Sequence, residues 1–443
     1  MIVFTVIKVP LSPLEHKCYT VCIFSSKSYQ TSRNRTAEDE TLMTALLLSI
    51  LASPGTLWLE ALSEAHWAEE YTFVFLAEQS STAYSGVLPE PVLQGSLAGA
   101  PVETRNGPVL GSFGITQRVP WPGLLSASRH RANAQTTLAE EQKTVMELRM
   151  RTAIATAWAE AYRREQRERI FSERAQYLSS LLTSAAGSSA ALTLEPSALA
   201  DLRIRTELAR QKPVSERNSL AASLGQLEAL AGSGTDEVFE IPPLEWFSGR
   251  VAAVEVSSPA LRIAELSVAS SEASLDVVKA GNMPAFVLGA SYSPVGMPRI
   301  AAGAVSPGAD SWMVSLGVTI PLGYSGAGAK IDQAEFLLAS ANARMLQMEE
   351  EVSAKLASEK ALLVNLVDEI SLLMELLPVS VSAVQSAASG WAAGRGSYGT
   401  LISTLQSNLD IQMEIAEKEA LLVGAAARWL ELAGAATQEG EFL

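Results

Sequence analysis

The chain has 443 residues, with 48 acidic and 33 basic side chains and a formal charge of -15. This acidic balance argues against a nucleic-acid partner, because such a partner requires a basic face. The length is sufficient for two or three ordinary domains. The only two cysteines, Cys18 and Cys22, precede any regular pattern. The rest of the chain therefore offers neither a disulfide framework nor a cysteine-based metal site.

Residues 1–57 are interpreted as an N-terminal extension that contains a possible export signal. Residues 42–52 form an apolar run of signal-peptide length, too short to span a bilayer as a helix. We expect the signal to begin at Met43 or close to it. The alternative is a disordered extension that precedes a buried helix. Whether the mature N-terminus is acylated is left open.

Residues 58–250 are predicted to form a first structural repeat of one helix, two strands, two long helices and a connector. In chain order these elements cover residues 58–85, 92–97, 112–119, 124–186 and 197 to about 230. The helix at 124–186 lacks glycine and proline, and as one continuous helix it would be about 95 Å long. Pro213 should kink the next helix, at residues 197 to about 230.

Residues 251–434 repeat this order, and residues 435–443 form a tail. The second repeat has a helix at 259–280, strands at 286–293 and 312–320, and two more long helices. The sequence SLGVTIP at 315–321 resembles SFGITQRVP at 112–120, which places the repeat boundary between them. Apolar residues recur at strict intervals of seven in both helices, which predicts supercoiled packing. They are Leu356, Leu363, Ile370, Leu377 and Val384, then Ile402, Leu409, Ala416, Val423 and Leu430.

Four segments together resemble the outer-membrane efflux channel family, the TolC-like outer-membrane factors. They are ITQRVPWPG at 115–123, SPALRIAELSVASSEASL at 258–275, VSLGVTIPLGYSGAGAKIDQAE at 314–335 and GWAAGRGSYGTLISTLQSNL at 390–409. Their order and spacing extend over about residues 58–434. Two positions depart from the family pattern, since Ser258 replaces the usual asparagine before Pro259 and Trp391 replaces tyrosine.

The resemblance implies a mostly α fold with a small β part and an internal two-fold repeat. Long coiled-coil hairpins would form an α-barrel across the periplasm, and four strands per protomer would join a trimeric, 12-stranded transmembrane β-barrel. The implied function is the outer-membrane channel component of a tripartite efflux or export system. This passive duct would work with a periplasmic adaptor and an inner-membrane pump, without a cofactor and without enzymatic activity. The alternative is a periplasmic coiled-coil scaffold without a pore.

The alternating strands predict which side chains face lipid, because alternate residues of a strand point to opposite sides of its sheet. The predicted lipid-facing residues are Phe286, Leu288, Trp312, Val314, Leu316 and Val318. Ser315, Gly317 and Thr319 lie between them and should face water.

The turns between the long helices are predicted to be the periplasmic tips that bind the adaptor. Their candidate residues are Gly187, Ser188, Gly394, Arg395, Ser397 and Tyr398. The small residues of both turns permit close approach of helices, and no core would form at either turn alone. Residues 394–399 also spell G-x-G-x-x-G, but a dinucleotide site requires a preceding strand. A long helix precedes this segment, so the hairpin tip is the better interpretation.

Ser403, Gln406 and Asp410 are the candidate pore residues. Their spacing of three and four places them on one face of the returning helix. Three copies of Asp410 around a threefold axis would attract cations and form an acidic aperture. The alternative is that Asp410 is a polar partner between helices. The transported substrate, the pump and the gating mechanism do not follow from the sequence.

Overall fold

A computed structural model describes six segments of the chain, all within one compact unit of residues 51–443. The described residues are 66–187, 196–232, 241–253, 256–299, 306–321 and 326–434. The predicted export signal, both cysteines, Ser188 and the tail lie outside the described residues.

Both halves of the chain share the order helix, strand, strand, long helix, long helix, and the first half has a short hairpin and a further helix in addition. The first half contains α1 (His66–Tyr84), β1 (Val92–Leu97), β2 (Glu103–Thr104), β3 (Gly107–Pro108), β4 (Gly111–Val119), α2 (Pro122–Gly187), α3 (Pro196–Ala231) and α4 (Leu244–Ala253). The second half contains α5 (Pro259–Gly281), β5 (Ala285–Ser293), β6 (Ser311–Thr319), α6 (Ala327–Ala392) and α7 (Tyr398–Ala433). The predicted fold class, mostly helical with a small β part and an internal repeat, is confirmed.

The structure adds two details to the elements expected from the sequence. The turn-rich segment after β1 contains the hairpin of β2 and β3, whose two-residue strands are too short to show alternation. Helix α6 continues through Pro378 to Ala392. Near this proline, Asn408 of α7 donates a hydrogen bond to Ser380 Oγ over 2.8 Å, and Ser380 donates to the Leu377 carbonyl. These bonds support the helix at the position where proline weakens it.

The main sheet has the strand order β1-β4-β5-β6, and all neighbours are antiparallel. The central pair joins the two repeats, since β4 comes from the first and β5 from the second. Phe113 lies opposite Tyr292, and Val119 lies opposite Phe286. Strands β1 and β6 are therefore the two edges of the sheet.

The long helices pack through the predicted heptad positions. Leu363, Ile370 and Val384 of α6 are buried, as are Ala416 and Val423 of α7. The largest core cluster lies where these helices meet the middle of α2, around the buried Trp158. No helix in the described part of the chain is long and apolar enough to cross a membrane.

The second repeat is closed by a contact between its two ends. Helix α7 ends at Gly434, whose φ of 68° permits a left-handed cap. The Ser257 amide donates a hydrogen bond to the Ala433 carbonyl over 2.8 Å. A β-carbon on Gly434 would lie 2.0 Å from the Ser257 carbonyl oxygen, so this close approach requires glycine.

Candidate functional site

One face of the sheet is largely apolar across all four strands, with Gln117 of β4, opposite Leu288, as a polar member. The strand register places Leu288 opposite Leu316 and Tyr292 opposite Trp312, and cross-strand partners share a face. Trp312 is 78% exposed and Leu316 is 69% exposed, an unusual state for large apolar side chains. On the same face lie Leu93, Leu97, Phe113, Ile115, Val119, Phe286, Val314 and Val318. The face therefore needs an apolar partner outside the chain.

The predicted lipid-facing residues all fall on this face. Leu288, Trp312, Val314, Leu316 and Val318 are exposed, and Phe286 at the helical end of β5 is partly covered. All nine residues of β6 are exposed, so exposure does not distinguish its two faces, and the lipid-facing side stays a prediction.

The opposite face of the sheet carries mainly small and polar residues. Ser96 and Ser112 are joined by a hydrogen bond of 2.8 Å between their hydroxyl groups. Gly289 leaves room for Ser315, whose Oγ would lie only 2.5 Å from a β-carbon at that glycine. Met313, 60% exposed, is an apolar exception on this face. The two faces of the sheet thus differ in polarity, as expected of a wall between an apolar and an aqueous phase.

The turn between α6 and α7 is a compact helix-to-helix connection. The amides of Arg395 and Gly396 both donate to the Gly390 carbonyl over 2.9 Å. Gly394 has a φ of 69°, a left-handed conformation that favours glycine. Ser397 caps α7 by accepting a hydrogen bond from the Gly399 amide over 3.1 Å. The G-x-G-x-x-G sequence therefore forms a hairpin tip.

A hydrophobic core joins the two hairpins at this end, and residues of both hairpins are needed to build it. Trp391 is buried against residues from both hairpins, and its ring centroid lies 5.9 Å from that of Tyr398. The buried members are Leu178, Ala185, Leu202, Val384, Trp391, Leu401 and Leu405. The sequence did not reveal this core because its members come from four different helices.

A hydrogen bond reinforces this core. The Tyr398 hydroxyl donates to Asp201 Oδ2 over 2.8 Å, and Arg205 contacts the same oxygen over 2.6 Å. Burial, together with the neighbouring Asp201 carboxylate, raises the pKa of Tyr398. The hydrogen bonds from Arg205 and Tyr398 lower the pKa of Asp201. Of the two candidates in the first tip, Gly187 lies within the described residues, and it is the last residue of α2.

Two of the candidate pore residues take part in a polar network with Arg174. Gln406 donates to Asp410 Oδ1 over 2.7 Å, and its carbonyl oxygen accepts from Arg174 Nη2 over 3.1 Å. Burial lowers the pKa of Arg174, and the Asp410 carboxylate opposes that shift. Ser403 is exposed and donates to the Thr400 carbonyl. Gln406 is thus a polar partner between helices, and Asp410 remains exposed beside it.

A second network, not identified from the sequence, lies in the C-terminal half of α2. Glu216 of α3 accepts hydrogen bonds from Arg167 over 2.9 Å and from Arg164 over 3.3 Å. Burial alone would raise the pKa of Glu216, but the hydrogen bonds and charges of the two arginines outweigh it and lower the pKa. Arg163 of α2 pairs with Glu417 of α7 over 2.7 Å. The network therefore joins α2 to helices on both of its sides.

The chemistry of these sites is structural and electrostatic. Among the described residues, no group of three or more histidine, cysteine or acidic side chains is placed to hold a metal ion. What the arrangement offers is a sheet with one apolar face, continued by long helical hairpins that end in a packed tip.

Comparison with known proteins identifies the same architecture. Residues 252–435 match the family model described as outer membrane efflux protein. No curated protein sequence matches the chain. Among solved structures, the transmembrane channel protein CusC is 17% identical, with a TM-score of 0.69, over 86% of this chain and 92% of that chain.

Two further solved structures agree with this assignment. The outer membrane protein VceC from Vibrio cholerae is 14% identical, with a TM-score of 0.69, over 86% of this chain and 96% of that chain. The outer membrane channel CmeC from Campylobacter jejuni is 11% identical, with a TM-score of 0.62, over 97% and 95%. At these identities the likeness establishes the fold. The resemblance predicted from the motifs is therefore confirmed: residues 252–435 match the outer membrane efflux protein family, and the chain has the fold of the outer-membrane channels to which it is similar.

Proposed function

We propose that the protein is the outer-membrane channel component of a tripartite efflux system. The observation that supports this most directly is the apolar face of the four-stranded sheet, which is exposed while the reverse face is mainly small and polar. The family is one of channels and not of enzymes, and its members act as trimers with an adaptor and an inner-membrane pump. The protein itself supplies a passive path through the outer membrane and into the periplasm.

Three copies complete the sheet. Four strands are too few to close a barrel, and the edges β1 and β6 have no partner strand among the described residues. If β6 of one copy pairs with β1 of the next, twelve strands close and no edge is left open. The exposed face that contains Trp312 and Leu316 then contacts outer-membrane lipid, and the face that contains Ser315 lines water.

The long hairpins extend the duct away from the membrane. At the 1.5 Å rise per residue of an α-helix, the 66 residues of α2 or α6 reach far beyond a bilayer. The packed tip, with Gly394, Arg395, Ser397 and Tyr398, is the surface that contacts the periplasmic adaptor. Gly187 and Ser188 provide the corresponding surface of the first hairpin. The exposed Ser403, Gln406 and Asp410 line the aperture close to that tip.

The scaffold alternative lacks a role for the apolar face. A periplasmic coiled coil without a pore would expose Trp312 and Leu316 to water, which is unfavourable by about 25 cal/mol for each Å² of apolar surface. No observation in the described part of the chain favours that alternative.

The test is to purify the protein from outer membranes in mild detergent. We expect a trimer that dissociates only on heating and that conducts ions after reconstitution into a planar bilayer. A protein that stays in the soluble periplasmic fraction as a monomer, without conductance, would refute the proposed function and support the scaffold.

A further inference from the structure

A cavity of about 310 Å³ lies between α2, α6 and α7, next to the packed tip. Its apolar wall consists of Ile170, Val381, Val384, Leu405 and Leu409. Val384 and Leu405 also belong to the core around Trp391, so packing fixes this part of the wall. The volume is at the lower end of the range for pockets that bind small molecules. The cavity is therefore suited to a compact ligand with an apolar body.

The remaining wall of this cavity is polar. It consists of Arg174, Tyr177, Gln385, Asn408 and Gln412, with the solvent-exposed Glu173 beside them. Asn408 donates to Ser380 Oγ over 2.8 Å and accepts from Gln412 over 3.2 Å, which fixes the amides where α6 meets α7. A largely apolar pocket with a few convergent polar groups is typical of small-molecule sites.

Arg174 has hydrogen-bond donors that the described part of the chain does not use. A guanidinium has five N–H donors, but only Nη2 of Arg174 has an acceptor there, the Gln406 carbonyl oxygen at 3.1 Å. Nη1 is buried without a hydrogen-bond partner among the described residues. On the same helix, Arg163 pairs with both Glu160 and Glu417. A buried charged donor without an acceptor is unfavourable, so an anion beside Arg174 would be stabilising.

The charged neighbours of Arg174 are engaged elsewhere. The Asp410 carboxylate favours the charged guanidinium and the Arg205 charge opposes it. Asp410 accepts a hydrogen bond from Gln406, and Arg205 pairs with Asp201. Within the described residues, no carboxylate forms an ion pair with Arg174. A carboxylate that pairs directly with it would come from a ligand.

We propose that this cavity binds a small amphipathic carboxylate, whose apolar body packs against Val384, Leu405 and Leu409 and whose carboxylate accepts hydrogen bonds from Arg174. A carboxylate is the fitting anion because its two oxygens match the planar fork of a guanidinium. The apolar wall favours a ligand with a hydrophobic body, since burial of that body provides most of the binding free energy.

Binding at this cavity would reach the candidate aperture through Gln406. This side chain contacts Arg174 with its carbonyl oxygen and Asp410 with its amide nitrogen. A carboxylate that attracts the guanidinium competes with the Gln406 carbonyl oxygen and so alters the network beside Asp410. This coupling rests on the proposed channel function, whereas the binding itself does not.

Photoaffinity labelling tests the site in the full-length protein extracted from outer membranes. The probe is benzophenone-4-carboxylate, and benzophenone-4-carboxamide is its neutral match. After irradiation, mass spectrometry of proteolytic peptides locates the label. We expect label within residues 381–385 and 405–412, which line the cavity. The carboxylate should label them about tenfold more than the amide, equivalent to about 1.4 kcal/mol. An excess of 2-naphthoate should prevent this labelling.

Two variants separate the charged contact from the apolar one. Arg174→Gln should reduce labelling by the carboxylate to the level of the amide. Val381→Trp places a large ring at the exposed edge of the cavity and should reduce labelling by both probes. The matched control is Arg203→Gln, an exposed arginine of α3 that does not line the cavity, which should leave labelling unchanged. Circular dichroism verifies that each variant keeps its helices.

The outcomes separate this inference from the proposed function. Equal labelling by both probes, or full labelling of the Arg174 variant, would overturn the proposed site. Label confined to the apolar face of the sheet would show partition into the detergent-covered surface and would also overturn it. Cavity labelling together with an unchanged conductance in 2-naphthoate would support the site and overturn its coupling to the aperture. Cavity labelling of a protein that never conducts would refute the channel function and support the site.

Discussion

The Tyr398 hydroxyl donates a hydrogen bond to Asp201 over 2.8 Å, and this contact links the start of α7 to the start of α3. It joins residues that are 197 positions apart in the chain. Together with the buried Trp391, it makes the tips of the two hairpins one packed unit. The tip is thus a defined structure, and perturbations there should have measurable effects.

Removing the Tyr398 hydroxyl should loosen the tip without unfolding it. Tyr398→Phe keeps the ring contact with Trp391 but loses one hydrogen bond to a carboxylate, a change of about 1.5–3 kcal/mol. We expect faster amide hydrogen exchange in the first turns of α3 and α7. Tyr84→Phe, at an exposed position in α1, is the control. Unchanged exchange at the tip would mean that the core alone holds it.

A charge on the apolar face of the sheet should block assembly. Leu316→Arg places a cation where lipid is proposed, which costs roughly 2–4 kcal/mol at the bilayer midplane. We expect a loss of trimer from the outer membrane. Ser315→Arg is the matched control, since the neighbouring residue points to the polar face and should assemble normally. Equal yields of both variants would contradict the proposed orientation of the sheet.

Bulky residues at the tip should impair export but not assembly. Gly394→Leu forces a side chain into a left-handed conformation, at a cost of about 1–2 kcal/mol, yet no atom lies within 4 Å of the new β-carbon. We expect a normal trimer that no longer copurifies with its adaptor and no longer supports efflux. Gly225→Leu is the control, because Gly225 lies in α3 away from the tip and a β-carbon there would also have no atom within 4 Å. Normal efflux by the Gly394 variant would place the adaptor contact elsewhere.

The balance between Asp410 and Arg174 should determine ion preference. Asp410→Asn removes an exposed carboxylate beside the aperture, so the preference for cations should weaken. Arg174→Gln removes the opposing charge and should strengthen it. Reversal potentials of the reconstituted channel in a salt gradient measure both changes. If neither variant shifts the potential, this network lies outside the conducting path.

The stability contributed by Glu216 should depend on pH. Its pKa in the folded protein lies below the ordinary value of 4.5, because Arg167 and Arg164 outweigh the effect of burial. The stabilisation is therefore complete above pH 4.5 and is lost as the pH falls through the lowered pKa. Glu216→Gln should lower the thermal midpoint at pH 7, and the difference from the unaltered protein should shrink in acid.

A contrasting residue serves as the control for this pH dependence. Burial raises the pKa of Glu419, against the opposing effect of the Tyr162 hydroxyl that donates to it over 2.7 Å. Ionisation of Glu419 is therefore unfavourable in the fold, so Glu419→Gln should raise the thermal midpoint at pH 7, opposite to Glu216→Gln. This gain should disappear as the pH falls through the raised pKa of Glu419. A Glu216 effect of the same size at every pH would contradict the ion-pair explanation.

The sequence alone determined the elements and the faces, because both follow from local periodicity. Alternation in β5 and β6 predicted that Leu288 and Leu316 lie on the same face of the sheet, where they are paired. The seven-residue repeat in α6 predicted the buried Leu363 and Ile370. The duplicated strand-and-helix order and four motifs were sufficient to predict the family, the fold class and the channel function. The domain boundaries at 57 and 250 and the roles of the individual site residues remain predictions.

The tertiary structure decided which distant residues meet. Asp201 beside Tyr398, Arg174 beside Gln406, and Glu216 between two arginines of α2 are contacts across separate helices. No local period indicates such pairs, since each depends on the alignment of antiparallel helices and on the side from which they pack. The same reason applies to the pairing of β4 with β5 and to the tip core around Trp391. Local sequence defines each element and its faces, whereas packing over long separations decides the neighbours that those faces contact.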